Sequence, residues 1–260
     1  MKPGDTRATK KIVKDVDAMK IAIPKGRGRH NTRKPGKTRP PGWLNVLGLC
    51  LCLGLATAAE KAVTLTENFE NGMERWTLLE PRHWTLQKTN ENTCLVLNKP
   101  GKQHPPVRRP GEYALWKSTP WYDVTIQAKV KTLRPANVSG RDVCIIFGFR
   151  DPTHFYYAHL CSDSNGKTHN VIMKVNGERR NVIMNEKRPE PRLTDDWHSV
   201  KVVRKSSGAI HVFMDDMQTP LMTAHDQAFP VGQVGIGTFD DPAMFDDVTI
   251  RGTPAEKAKP

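Results

Sequence analysis

Residues 142–161 read "DVCIIFGFRDPTHFYYAHLC", and this stretch decides the fold. Two apolar runs flank "DPTH" (151–154), whose Asp and Pro are turn formers. Successive side chains on a strand point to opposite faces. A hairpin with a four-residue loop sets Arg150 opposite Phe155, Gly148 opposite Tyr157, Ile146 opposite His159 and Cys144 opposite Cys161. One face then carries Val143, Ile145, Phe147, Phe149, Tyr156, Ala158 and Leu160, and must lie against a second sheet. The other carries Cys144, Ile146, Gly148, Arg150, Phe155, Tyr157, His159 and Cys161, a mixed set. In this register Cys144 and Cys161 are candidates for a cross-strand disulfide.

The period of two continues outward on both sides. Strand-like runs recur at 94–99, 123–132, 169–175, 178–185, 197–205, 209–216, 233–239 and 245–252. With the opening pair they give about ten strands and no convincing long amphipathic helix. That pattern predicts an all-β, two-sheet antiparallel jelly-roll sandwich over residues 60–252. Asn176-Gly177 in "VNGE" predicts a tight hairpin pairing Val175 with Glu178 and Val171 with Val182. The repeated "NVIM" (170–173, 181–184) then reads as two adjacent strands. "KSSG" (205–208) joins the next pair, and residues 253–260 read as a disordered tail.

Charge is uneven along the chain. Of the +13 formal net charge, residues 1–42 supply ten, with 13 Lys and Arg against 3 Asp. They read as a basic, disordered arm. It carries no aromatic residue for stacking on bases, which argues against nucleic acid as the partner. Residues 43–59 follow, with an apolar run from Leu44 to Ala56 that ends in Ala56-Thr57-Ala58. A basic flank, a short apolar core and an A-x-A end are the anatomy of a secretory signal. The run is shorter than the roughly 20 residues of a spanning helix. The expectation is an exported protein, in the periplasm, at the cell surface or outside the cell. The alternative is an uncleaved segment anchoring the chain in the membrane. Cys94, Cys144 and Cys161 remain in the mature part, an odd number that leaves at least one thiol unpaired.

Three stretches carry a family resemblance: "DDWHSVKVVRKSSGAIHVFMDD" (195–216), "GQVGIGTFDDPAMFDDVTIRG" (232–252) and "ENFENGMERWTL" (67–78). Together they resemble the closing and opening strands of the concanavalin A-like lectin/glucanase superfamily, in its laminin-G-like branch. The order of elements is also similar to bacterial secreted 3-keto-disaccharide hydrolase-like domains. The resemblance implies a fold that hosts lectins, hydrolases and adhesion modules alike. It also implies a structural calcium near the first and last strands, for which Glu70, Asp246 and Asp247 are the candidate ligands.

Chemistry is less legible than fold. The paired carboxylates of a retaining glucanase strand are absent: adjacent acids such as Asp195-Asp196, Asp215-Asp216, Asp240-Asp241 and Asp246-Asp247 point to opposite faces. No H-E-x-x-H, C-x-x-C, P-loop or G-x-S-x-G pattern occurs. What remains is the mixed face of the opening hairpin. Arg150, His154, Tyr157 and His159 are the candidate carbohydrate-binding residues, with His159 or His154 as candidate bases. Three readings stay open. The first is an exported, non-catalytic module binding a carbohydrate, a cell-surface glycan or a surface partner. The others are a hydrolase-like enzyme on a keto-sugar or glycoside, and a purely structural secreted domain. Trp197 reads as core with His198 turned to solvent, and of Trp121 and Tyr122 one is expected inside and one out.

Overall fold

The structure is a computed structural model that describes residues 61–89, 91–99, 101, 107–118, 120–188 and 192–255. The basic arm, the 43–59 segment and the last five residues lie outside the described residues. Sixteen strands appear among those described. They are β1 (Val63–Glu67), β2 (Trp76–Leu78), β3 (Trp84–Lys88), β4 (Thr93–Leu97), β5 (Glu112–Trp116), β6 (Trp121–Thr132), β7 (Asp142–Asp151) and β8 (His154–Cys161). They continue with β9 (Val171–Asn176), β10 (Asn181–Val182), β11 (Met184–Lys187), β12 (His198–Arg204), β13 (Ala209–Met214), β14 (Met222–His225), β15 (Gln233–Thr238) and β16 (Ala243–Pro254). One 3-10 turn, Pro81–His83, interrupts them. No described helix is long and apolar enough to cross a membrane.

The strands form two antiparallel sheets. One runs β11-β14-β13-β12-β6-β16-β4-β3, with β1 also paired to β16. The other runs β10-β9-β8-β7-β15-β5-β2. The first and last strands are neighbours, joined from Val63↔Gly252 to Glu67↔Val248. The expected runs all hold strands. The short β1, β3, β5 and β14 lie outside the expected runs, because none of them has a long alternating pattern. So did the end of β16: Thr253 and Pro254 continue it, and the N–H of Ala255 donates to the carbonyl of Pro120 at 2.7 Å. Residues 253–255, expected in the tail, therefore belong to the fold.

Between the sheets lies the main core. Val143, Ile145, Phe147, Tyr156, Ala158 and Leu160 of β7 and β8 face Val124, Ile126, Val200, Val202, Val212 and Ile250 of the nine-stranded sheet. The predicted inward face is thus correct except at Phe149. Gly148 has φ +58°, and the β7–β8 register breaks between Phe147 and Asp151. The bulge turns Phe149 to the outer side, where it packs with Tyr113 and Phe155. Glycine is required here. A Cβ would lie 3.0 Å from the Tyr156 ring and 3.1 Å from the Phe229 carbonyl, in a backbone region that L-residues avoid.

The bulge also shifts the hairpin register by two residues. Cys144 faces His159 and Asp142 faces Cys161, so the expected Cys144–Cys161 partnership does not form. Cys94, Cys144 and Cys161 are all free, buried thiols. The β9–β10 turn shows a similar slip. Val182 pairs with Met173, not Val171, because the Gly177 N–H donates to the Thr153 carbonyl of the adjacent hairpin and leaves a wider loop. "KSSG" closes as expected, with Lys205 and Ala209 hydrogen bonded.

Candidate functional site

The mixed face of β7–β8 is closed. Cys144, Ile146, Phe155, Tyr157, Val171, Met173 and Val175 form a second apolar cluster with Val107, Tyr113 and Phe239 on the outer side of the seven-stranded sheet. Tyr157 is wholly buried, and its hydroxyl accepts from Arg180 at 2.6 Å. Arg180 and Arg108 cover the Phe239 ring at 4.0 and 5.2 Å. Arg150, exposed beyond the bulge, lies over Phe229 at 5.3 Å. His154 sits half-exposed at the hairpin tip, its Nδ1 shared between Asp151 and Thr153. Of the four candidate binding residues, Arg150 and His154 reach solvent, whereas Tyr157 and His159 are buried.

His159 occupies a polar centre inside this apolar cluster. Its Nδ1 donates to the Thr168 carbonyl at 2.5 Å and its Nε2 to Asp142 at 2.9 Å. Both partners only accept, so the ring carries both protons and is an imidazolium. Burial opposes that charge, but Cys161 and Asp142 outweigh it and raise the pKa to about 10. His159 is buried with both ring nitrogens engaged, so it is not presented to solvent, where a catalytic base would meet a substrate. Asp142 also accepts the Phe239 N–H at 3.0 Å, and its own N–H donates to Asp241 at 2.8 Å. Arg134 pairs with Asp241. Burial pushes the Asp240 and Asp241 carboxyls up.

Glu70, Asp246 and Asp247, the candidate calcium ligands, are not among the described groups of three whose ligand atoms lie within 4.8 Å of one another. Both Glu70 oxygens are taken by Thr93, at 2.6 and 2.9 Å. Asn92 donates to Asp246 at 2.8 Å, and Lys129 pairs with Asp247 at 2.7 Å. Each of the three carboxylates has a protein donor of its own. Their neighbourhood, however, is the open part of the molecule.

The outer face of the nine-stranded sheet reaches solvent. Two rungs cross it. One runs Phe213–Lys201–Gln127–Thr249–Thr66 over β13, β12, β6, β16 and β1. The next runs Thr223–His211–Val203–Thr125–Arg251–Thr64. Alternation puts these on one side because Val200, Val202, Ile126 and Ile250 between them are buried in the core. Lys201 lies over Phe213 at 3.9 Å. Trp197, expected inside, is 38% exposed, whereas His198 is buried with its Nδ1 on Asp215 and its Nε2 accepting the Thr194 N–H. Trp121 and Tyr122 divide as expected, inside and out.

The first rung ends in a hollow of about 440 Å³ lined by Thr66, Glu67, Asn68, Asn71, Arg75, Asp247, Val248 and Thr249. Its walls are irregular backbone. Phe69 and Asp247 hold positive φ, 59° and 45°, and β16 breaks register against β6 between Asp246 and Thr249. Bulges of this kind re-aim side chains at sheet edges and beside sites. Asp247 holds the Lys129 ammonium above its usual pKa. The hollow brings together amide, carboxylate, guanidinium and hydroxyl groups. Its residues, Thr66 apart, come from the stretches 67–78 and 232–252, and the register of β1 on β16 brings them together.

No family model matches the chain, and no curated protein matches it. Several solved structures are similar in fold. A carbohydrate-binding module, CBM66, from Bacillus subtilis is 18% identical with TM-score 0.49, covering 69% of this chain and 97% of the module. Peanut lectin is 12% identical with TM-score 0.48, covering 76% of this chain and all of the lectin's (100%). A putative glycosyl hydrolase from Parabacteroides distasonis is 12% identical with TM-score 0.42, covering 68% and 88%.

Proposed function

We propose that the chain is an exported, non-catalytic β-sandwich module that binds carbohydrate along the outer face of its nine-stranded sheet. The observation that carries this reading is the solvent-facing rung Lys201–Gln127–Thr249–Thr66, which runs without a break into the hollow at Asn68, Asn71, Arg75 and Asp247. Sugars offer dense hydroxyl groups and apolar C–H faces. Amides, carboxylates and a guanidinium answer the hydroxyls with directional hydrogen bonds. Exposed Trp197 supplies a ring for the C–H face. Export rests on the apolar 44–56 run and its A-x-A end.

A glycan array probed with the full chain tests the reading, followed by calorimetry on the best ligand. Arg75→Ala and Gln127→Ala should each weaken binding about tenfold or more without lowering stability, the effect of losing one charged or amide partner. A chain that binds no glycan, or binds equally well in both variants, refutes the assignment. Turnover of a 3-keto-glucoside that disappears in His154→Ala would replace it with the enzymatic reading.

A further inference from the structure

We propose that Asp142, Cys144 and His159 form a site for a divalent cation of the zinc class. An oxygen of Asp142, the Cys144 sulfur and a ring nitrogen of His159 all lie within 4.8 Å of one another, and all three residues are buried. A tetrahedral zinc with bonds of about 2.0–2.3 Å spaces its ligands at roughly 3.3–3.8 Å, so a small inward shift of the thiol and a few tenths of an ångström between His159 and Asp142 complete the set.

Two features point to an ion. The Cys144 thiol is 0% exposed and, among the described residues, has no hydrogen-bond partner, yet it lies against a carboxylate and an imidazole inside an apolar cluster. His159 is also held as metal-ligating histidines are held. Its Nδ1–H is fixed on a main-chain carbonyl, that of Thr168, which aims Nε2 at Asp142. The Phe239 N–H holds Asp142 in turn.

The donor set selects the metal. Thiolate, imidazole and carboxylate suit zinc, whereas calcium takes oxygen alone. Charge is conserved in the exchange. The bare set holds one carboxylate, one imidazolium and one thiol. Binding breaks the Nε2–H and S–H bonds, forms bonds from nitrogen and sulfur to the metal, and releases two protons to solvent. One dication replaces two protons, so the buried net charge does not change. Asp240, which is exposed, has a carboxylate oxygen within 4.8 Å of those of Asp142 and Asp241, so it borders the set at Asp142 without belonging to it. Asp241 is already occupied by Arg134.

The test uses the full chain stripped with a chelator. Zinc is titrated against a chromogenic competitor, and cobalt(II) is added as a spectroscopic stand-in. One equivalent should bind, and cobalt should show a sulfur-to-metal charge-transfer band. Cys144→Ala and Cys144→Ser should each lose the band and weaken zinc by more than about a hundredfold, beyond the loss typical of an outer-contact residue. A Cys50→Ala/Cys52→Ala variant should keep both. Millimolar calcium should not displace the zinc. No binding, no sulfur band in the parent chain, or a band that survives in a folded Cys144→Ser chain overturns the site.

Discussion

The two sheets differ in what covers their outer faces. The seven-stranded sheet is buried on both sides: β5, β7, β8 and β15 read almost wholly buried along their length. The nine-stranded sheet is open on its outer side over β12, which alternates buried with half-exposed at every residue, and is closed on both sides only at β4, buried along its whole length. A sheet closed on both faces holds its polar groups as internal structure. A sheet open on one face holds them for solvent or a ligand. His159 and Gln127 are both polar residues in central strands, yet only Gln127 is in a position to meet a partner.

The largest effect should come from breaking the closed face. In the metal-free chain, His159→Ala leaves the Asp142 carboxylate buried without its cation. Removing one member of a buried pair costs about 3–5 kcal/mol, and denaturant unfolding measures it. A loss under about 1 kcal/mol would mean that water reaches Asp142 and that the face is open after all.

Next in size are the contacts where the sheets meet at the bulge. The Tyr156 hydroxyl donates to Asp226 at 2.5 Å and accepts the Phe229 N–H at 3.0 Å. Tyr156→Phe leaves the buried Phe229 N–H without its acceptor and removes one of the donors to Asp226, which should cost about 1–3 kcal/mol. Gly148→Ala forces a Cβ onto Tyr156 and the Phe229 carbonyl at positive φ, at a similar cost of about 1–3 kcal/mol. Thermal unfolding of both variants, and of the double variant, also reports their coupling. Additive losses would show that the bulge and the tyrosine act apart.

Acid sharpens the comparison further. Burial alone would raise the Asp226 carboxyl, but Lys174 and Tyr156 outweigh it and hold its pKa below the ordinary value. A folded pKa below the unfolded one stabilises the fold above the unfolded value, about 3.9, and that stability is lost as pH falls through the folded pKa. Stability measured from pH 6 down to pH 3 should therefore fall less steeply in Asp226→Asn than in the parent chain. Equal slopes would remove Asp226 from the acid response.

The same contrast sets what the sequence could show. Alternation assigned the inner face of β7–β8 correctly at Val143, Ile145, Phe147, Tyr156, Ala158 and Leu160, because each strand's own period needs no knowledge of its partner. The error at Phe149 came from Gly148, read as an ordinary member of the strand when its φ makes a bulge. That single residue moved the register by two and separated Cys144 from Cys161. The closed outer face had a visible signal that went unused. "VCIIFGF" and "FYYAHL" are continuous apolar runs, the mark of a strand covered on both sides, whereas "HSVKVVR" alternates as a half-solvated strand does. The hollow had only a partial signal, the expected meeting of first and last strands around Glu70, Asp246 and Asp247. Its residues come from two ends of the chain, and only the pairing of β1 with β16 joins Asn71 and Arg75 to Asp247 and Thr249.

The smallest effect belongs on the open face, and it tests the comparison from the other side. Lys129 and Asp247 pair at 2.7 Å with their side chains 51% and 52% exposed. Water screens such a pair, and ordering two long side chains offsets much of the attraction. Lys129→Ala should change stability by less than about 0.5 kcal/mol, and the change should shrink in high salt. The variant frees the Asp247 carboxylate at the rim of the hollow, so its effect should appear in glycan affinity rather than in unfolding. A stability loss near 2 kcal/mol, insensitive to salt, would mean that this rim is covered as the seven-stranded sheet is covered. The ligand face would then have to be sought elsewhere on the sandwich.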